Sequence, residues 1–186
     1  METALIDCDG VLADFVTPAL QVVARHTGVL YSINDFDDWD FIKVIRDRHG
    51  SKVVDRCYDD FHAEGFVFNL PVYPGAQEGM AKVRAVADTY IVTSPMHSRH
   101  WYYERTEWLQ KHFGFKPKEV LHVSKKELTQ GSTLLDDKPG NLEAWGQANP
   151  RSETILWDQP YNRKSVGWAL RSSSWDYVAD LLRNLK

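Results

Sequence analysis

The strongest constraint on this chain is a repeated alternation, in which short apolar runs stop at a polar residue and stretches of helical periodicity lie between them. Thr3–Cys8 comes first and closes on Asp9-Gly10; Thr89–Thr93, Glu119–Ser124, Ser132–Leu135 and Thr154–Trp157 follow. Runs this brief suit buried strands rather than helices. Between them, Ala76–Val86 follows Pro74-Gly75, and Arg99–His112 carries Trp101, Arg105, Trp108 and Leu109 at turn spacing. Asn141–Ala148 reads the same way, and Trp175–Leu185 sets Trp175, Val178, Leu181, Leu182 and Leu185 on one stripe. Strands alternating with such helices predict an α/β fold, a parallel sheet with helices on both faces.

From about Phe15 to Leu70 the alternation stops. The stretch reads as helices rich in aromatics (Phe36, Trp39, Phe41, Tyr58, Phe61, Phe66, Phe68), broken by acidic residues across 34–40. We therefore expect a core of residues 1–14 and 71–186 with a small helical cap, 15–70, inserted after the first strand. An excursion from that point would sit over the carboxyl ends of the strands, where ligands bind in open α/β sheets. At 186 residues the chain suits one domain with an insertion. Apolar residues at 43% and charged residues at 26% can form a core without covalent staples. Cys8 and Cys57 are too few for a disulfide framework and lack metal-ligand spacing, which predicts buried thiols in a reducing compartment. A net charge of −4 with scattered Lys and Arg argues against a nucleic acid polymer or an anionic membrane as partner. No apolar run approaches the roughly 18 residues of a membrane span, and the first ten residues lack a basic start, so the expected location is cytoplasmic.

The chemistry-bearing residues fall at strand ends. Asp7 and Asp9 are two apart, so period-two alternation turns both carboxylates the same way, and Gly10 allows a tight exit. Such a pair repels itself unless a cation or proton lies between. Asp136-Asp137 also follows an apolar run and brings further carboxylates to the same edge. With no His or Cys beside them, Asp7, Asp9 and Asp137 suit the hard oxygen coordination of Mg²⁺ better than zinc. Thr93-Ser94 closes another run, and Lys125-Lys126 lies upstream of Asp136, supplying the hydroxyls and ammonium that a phosphoryl group needs. Singly, each feature also fits something plainer: an acidic turn, a helix start that favours negative charge, a strand-end cap, a solvated face. Their order along the chain is what carries the reading.

Asp7-Cys-Asp9-Gly-Val-Leu-Ala-Asp-Phe15, Thr93-Ser94-Pro95, Lys126 and Asp136-Asp137 resemble the four motifs of the haloacid dehalogenase superfamily of phosphatases. Within it, the first of these, Leu70-Pro-Val-Tyr-Pro-Gly-Ala76, Ile91-Val-Thr-Ser-Pro95 and Leu134-Leu-Asp-Asp-Lys-Pro139 are similar to the 5′(3′)-deoxyribonucleotidases. The resemblance implies a Rossmann-like core and a Mg²⁺-dependent phosphatase acting on nucleoside monophosphates, deoxy and pyrimidine by preference. It makes Asp7 the nucleophile that forms an aspartyl-phosphate and Asp9 the acid and base. Mg²⁺ would be held by Asp7, the backbone carbonyl of Asp9, and Asp137, with Asp136 supporting the site. Thr93, Ser94 and Lys126 would bind the phosphoryl oxygens; Lys126 has the family's spacing to Asp136, and Lys125 stays open.

The same resemblance suggests Phe15, Trp39 or Phe41, and Phe61 as a surface on which a base stacks, against a plain packing role for each. The chain departs from the animal enzymes at His97, where a lysine is usual, at Phe61 in place of a tryptophan, and at Lys138 in place of an arginine. His97 is a candidate for the phosphate or sugar when protonated. Another small phosphate ester, such as a sugar phosphate, is the rival substrate; a binding module without turnover would need a damaged site, and none is visible. The sequence leaves the base, the phosphate position and a homodimer open.

Overall fold

The computed structural model describes residues 2–165, 167 and 169–185. Strands β1 (Glu2–Ile6), β2 (Ala87–Thr93), β3 (Val120–His122), β4 (Thr133–Asp136), β5 (Glu153–Trp157) and β6 (Leu170–Ser172) form one sheet in the order β3-β2-β1-β4-β5-β6, every pair parallel. The order reverses at β1, and the crevice beyond the carboxyl ends of β1 and β4 is where such sheets bind ligands. Register sets what arrives there. Ile6 pairs with Ile91 on one side and Leu135 on the other. The Asp7 N–H donates to Leu135 O at 2.9 Å, so the ladder runs one residue past β1 and brings Asp7 beside Asp136.

The five expected strands are present with shifted ends, and the expected α/β architecture holds. β2 starts two residues before the expected Thr89 because its polar beginning pairs with Glu2 and Thr3. β6 was not expected: Leu-Arg-Ser is three residues long and carries no apolar run, and only its pairing with β5 makes it a strand. Helices α4 (Ala76–Arg84), α5 (Trp101–Phe113), α6 (Pro139–Ala148) and α7 (Trp175–Asn184) cover the sheet. Leu5, Val92, Leu134 and Leu156 pack against Leu142 and Trp145 of α6 on one face. Ala4, Ile6, Ile91, Leu135 and Ile155 share the other core with Met80 and Val83, Trp108 and Leu109, and Val178 and Leu182. Alternate residues of each strand serve opposite faces, as the pleat requires.

Between β1 and α4 the chain forms α1 (Val16–Thr27), α2 (Phe41–His49) and α3 (Ser51–Phe61), an insertion of three helices. It leaves and returns side by side: Asp14 N–H donates to Pro71 O at 2.9 Å, and Tyr73 N–H to Leu12 O at 2.9 Å. Phe36, Phe41, Ile45, Val54 and Phe61 belong to the same apolar cluster as Ile6 and Ile91, so the insertion is packed onto the sheet domain. Among the described residues no helix is long and apolar enough to cross a membrane.

Candidate active site

β1, β4 and the turn after β3 converge on a buried charge cluster. Carboxylate oxygens of Asp7, Asp136 and Asp137 lie within 4.8 Å of one another, and all three residues are buried. Lys126, 1% exposed on a short 3-10 turn (Lys126–Leu128), puts its Nζ 2.8 Å from Asp7 Oδ1 and 2.7 Å from Asp136 Oδ2. The geometry separates the two candidate lysines: Lys126 is in the cluster, while Lys125 is exposed. Asp136 is saturated by donors, since its Oδ2 also accepts from Asn141 Nδ2 at 2.9 Å and its Oδ1 from Lys138 N–H at 2.8 Å. Asp7 Oδ1 accepts from the Cys8 N–H at 2.7 Å, which fixes the rotation of the carboxylate.

One ammonium faces three carboxylates here, and the imbalance shows in their acidities. Burial, then Asp136, push Asp7 up to about 7 against the pull of Lys126. Burial, then Asp136 and Asp7, raise Asp137 well above the usual carboxylate range. Burial works against the Lys126 ammonium, but the two aspartates outweigh it and hold the charge more firmly than usual. A divalent cation would supply the missing positive charge, and an all-oxygen donor set with no His or Cys fits a hard one.

Residues far along the sequence hold the cluster. Tyr161 donates its hydroxyl to Asp137 Oδ2 at 2.5 Å, and Asn162 Nδ2 donates to Asp137 O at 2.7 Å. Gln159 Nε2 donates to Gly10 O at 2.6 Å. Gly10 has φ +78, and a Cβ there would lie 2.2 Å from Asp137 Oδ2 and 2.7 Å from the Tyr161 hydroxyl. Only glycine combines that backbone with so close an approach. Gly10→Ala is expected to lower stability by about 2–4 kcal/mol through strain and displacement of Asp137. Denaturant titration should show the loss together with weakened divalent-metal binding; wild-type metal affinity in a folded variant would contradict it.

Asp9 stands apart from the cluster. Its Oδ1 accepts from Arg105 Nη2 at 2.6 Å, and its side chain is 27% exposed. Both Asp7 and Asp9 line a cavity of about 480 Å³ whose walls include Gly10, Phe15, Trp39, Phe41, Tyr58, Ser94, Met96, Trp101, Asp137, Lys138 and Tyr161. That volume is in the range of small-molecule sites. Of the expected substrate contacts, Phe15, Trp39 and Phe41 reach the cavity. Phe61 does not: it continues the Val54, Cys57 stripe of α3 into the core, 0% exposed, and Tyr58 takes the wall instead. His97 is exposed and likewise outside the lining, which ends at Met96 on this segment. Ser94 lines the cavity, whereas Thr93 is buried and outside the lining, with its Oγ1 unpartnered among the described residues. Lys138 sets its Nζ 3.7 Å from the centroid of the Trp39 ring, and Lys164 pairs with Asp37 at 2.5 Å, so the insertion is tied to the loops after β4 and β5.

Sequence reasoning did not find Tyr161, Gln159 and Asn162, which no pattern connects to Asp137 or Gly10. Arg105 did leave a signal: a cation in register with Trp101, Trp108 and Leu109 on a buried stripe must have a buried partner.

The family profile described as 5′ nucleotidase, deoxy (pyrimidine), cytosolic type C protein (NT5C) matches residues 2–186. A Bordetella bronchiseptica protein provisionally named a 5′(3′)-deoxyribonucleotidase is 32% identical over 162 residues, 86% of this chain and 84% of its own length. The mitochondrial 5′(3′)-deoxyribonucleotidase of Mus musculus is 27% identical over 203 residues, covering 96% of this chain and 86% of that protein. Among solved structures, the magnesium-bound Bacillus subtilis YfnB, provisionally named a HAD-hydrolase, superposes with a TM-score of 0.60 at 13% identity, over 97% of this chain and 98% of that one. The last is a likeness of fold.

Proposed function

We propose, from the premise that this chain belongs to the 5′ nucleotidase, deoxy (pyrimidine), cytosolic type C family, that it is a Mg²⁺-dependent phosphatase of deoxynucleoside monophosphates, releasing nucleoside and phosphate. The observation that carries the reading is the buried Asp7, Asp136, Asp137 and Lys126 cluster, of which Asp7 and Asp137 line a cavity walled by Phe15, Trp39 and Phe41.

Asp7 attacks phosphorus and the P–O bond to the nucleoside breaks, giving an aspartyl-phosphate on Asp7. Asp9 protonates the leaving oxygen, then takes a proton from the water that releases phosphate. The Ser94 and Thr93 hydroxyls and the Lys126 ammonium bind the phosphoryl oxygens; the unpartnered Thr93 Oγ1 and the Lys126 Nζ on Asp7 support those roles. Asp7, Asp137 and the carbonyl of Asp9 would hold Mg²⁺, which when bound screens the repulsion between carboxylate and phosphate. Asp136, saturated by its donors, orients Lys126 and braces the loop that carries Asp137. Residues 15–70 act as the cap whose Phe15, Trp39 and Phe41 offer apolar faces to the base, each stacking contact worth about 1–3 kcal/mol.

Phosphate release should be followed over deoxy- and ribonucleoside monophosphates and sugar phosphates, with Mg²⁺ or chelator. Metal-dependent release concentrated on pyrimidine deoxynucleotides is the expected result. A wide preference for sugar phosphates would overturn the substrate assignment and keep the chemistry.

Stability should report the cation as well. The folded-state pKa of Asp7 lies above its unfolded value of 3.8, so the stability this group contributes is present below 3.8 and is lost as pH rises through about 7. Asp137 shifts the same way. Melting of the metal-free protein should therefore fall by on the order of 5 °C from about pH 5 to 8, and Mg²⁺ should restore it at the upper end. A melting point unmoved by Mg²⁺ at about pH 8 would count against the cation site.

A further inference from the structure

We infer that Arg105 is a positioning residue that selects which oxygen of Asp9 carries the transferable proton; the inference rests on the acid and base role proposed for Asp9. Arg105 is 0% exposed on α5, with Nη2 2.6 Å from Asp9 Oδ1 and Nη1 3.0 Å from Cys8 Sγ. The Trp101 and Trp108 rings flank it, their centroids 6.0 and 5.6 Å from its Cζ. The guanidinium is therefore held among four side chains, Asp9 and Cys8 as acceptors and Trp101 and Trp108 beside it.

A guanidinium donates hydrogen bonds and accepts none. The oxygen of Asp9 that faces it cannot carry a proton. The proton of the neutral acid resides on Oδ2, the oxygen not held by Arg105, while part of the side chain stays open to the cavity that Asp9 lines. Nothing in an aspartate makes this choice by itself, because its terminal torsion is broad and two-fold. With Oδ1 pinned, one oxygen serves both half-reactions. Oδ2 gives its proton to the nucleoside oxygen as the P–O bond to that oxygen breaks and the bond from Asp7 to phosphorus forms. It takes a proton back from water as the new P–O bond forms and the bond to Asp7 breaks.

The test uses the dependence on the leaving group. A nucleoside alkoxide needs protonation to depart, whereas p-nitrophenolate does not. Arg105→Met, Arg105→Gln, Arg105→Lys and Asp9→Asn would be assayed in the full chain with Mg²⁺ on deoxythymidine monophosphate and p-nitrophenyl phosphate, with melting curves as a check on folding. Arg105→Met is expected to lose about 10²-fold in the single-turnover rate of nucleoside release from the nucleotide and less than about 5-fold in that of p-nitrophenolate release, both read before the hydrolysis step that the two substrates share. Arg105→Lys, which still only donates, should recover part of the loss. Should Arg105→Met fail to fold, Arg105→Gln carries the same comparison, because an amide can present either a donor or an acceptor to Oδ1. An equal loss on both substrates, or none on either, would overturn the assignment. Selective loss in Asp9→Asn but uniform loss in the Arg105 variants would overturn it while sparing the role of Asp9. No selectivity in Asp9→Asn would overturn both.

Discussion

In Asp7→Asn, phosphate release from a deoxynucleoside monophosphate should fall by at least about 10³-fold, with the protein as stable at neutral pH as the parent. The two halves of this expectation have one source. Asp7 is buried beside Asp136 and Asp137, and its pKa of about 7 says that its charge is disfavoured in the metal-free fold. An amide of the same shape removes the repulsion, and with it the oxygen proposed as nucleophile and as metal ligand. Loss of the pairing with Lys126 offsets the relief, so the net change in melting point should be small. Phosphate release and a melting curve on one preparation check both halves. Activity within about tenfold of the parent would remove Asp7 from the nucleophile role.

Lys126→Met, in contrast, should lower stability. Lys126 is the ammonium of the cluster, 1% exposed, and its removal leaves Asp7 and Asp136 without their counter-ion. Breaking a buried pair from one side costs about 3–5 kcal/mol, or roughly 10 °C in a chain of this size. The loss should be largest above neutral pH, where Asp7 carries its charge, and should shrink as acid neutralises it. Mg²⁺ should return part of the stability and none of the turnover, because the contact to the phosphoryl oxygen is gone as well. Denaturant titrations at two pH values, with and without Mg²⁺, check this; a variant as stable as the parent above neutral pH would contradict the account of the cluster.

What the sequence made legible were features encoded locally. β1 ends where its apolar run meets Asp7, β4 ends at Asp136, and the ten-residue step from Lys126 to Asp136 closes as an ion pair of 2.7 Å. The parallel sheet with covering helices followed from the alternation, and the buried carboxylates from the ends of its strands. Contacts between distant segments were not legible. Gln159 reaches Gly10 across 149 positions and Tyr161 reaches Asp137 across 24, and neither residue type announces such a partner. Tyr58 rather than the expected Phe61 reaches the cavity because the rotation of α3 is set by packing against α1 and α2, which aromatic content alone does not fix. Lys138, read as a replacement for an arginine beside the acidic pair, rests over Trp39 instead and joins the insertion to the sheet domain.

The central claim is that Asp7 carries the phosphoryl group between nucleoside and water. The most direct measurement is rapid acid quench of a stoichiometric mixture of enzyme, Mg²⁺ and a deoxynucleoside monophosphate radiolabelled in its phosphate, followed by peptide mapping. The account predicts transient label on the peptide that contains Asp7, removable by hydroxylamine as an acyl phosphate should be. Complete turnover with no labelled peptide at any time, or label on another residue, would contradict it.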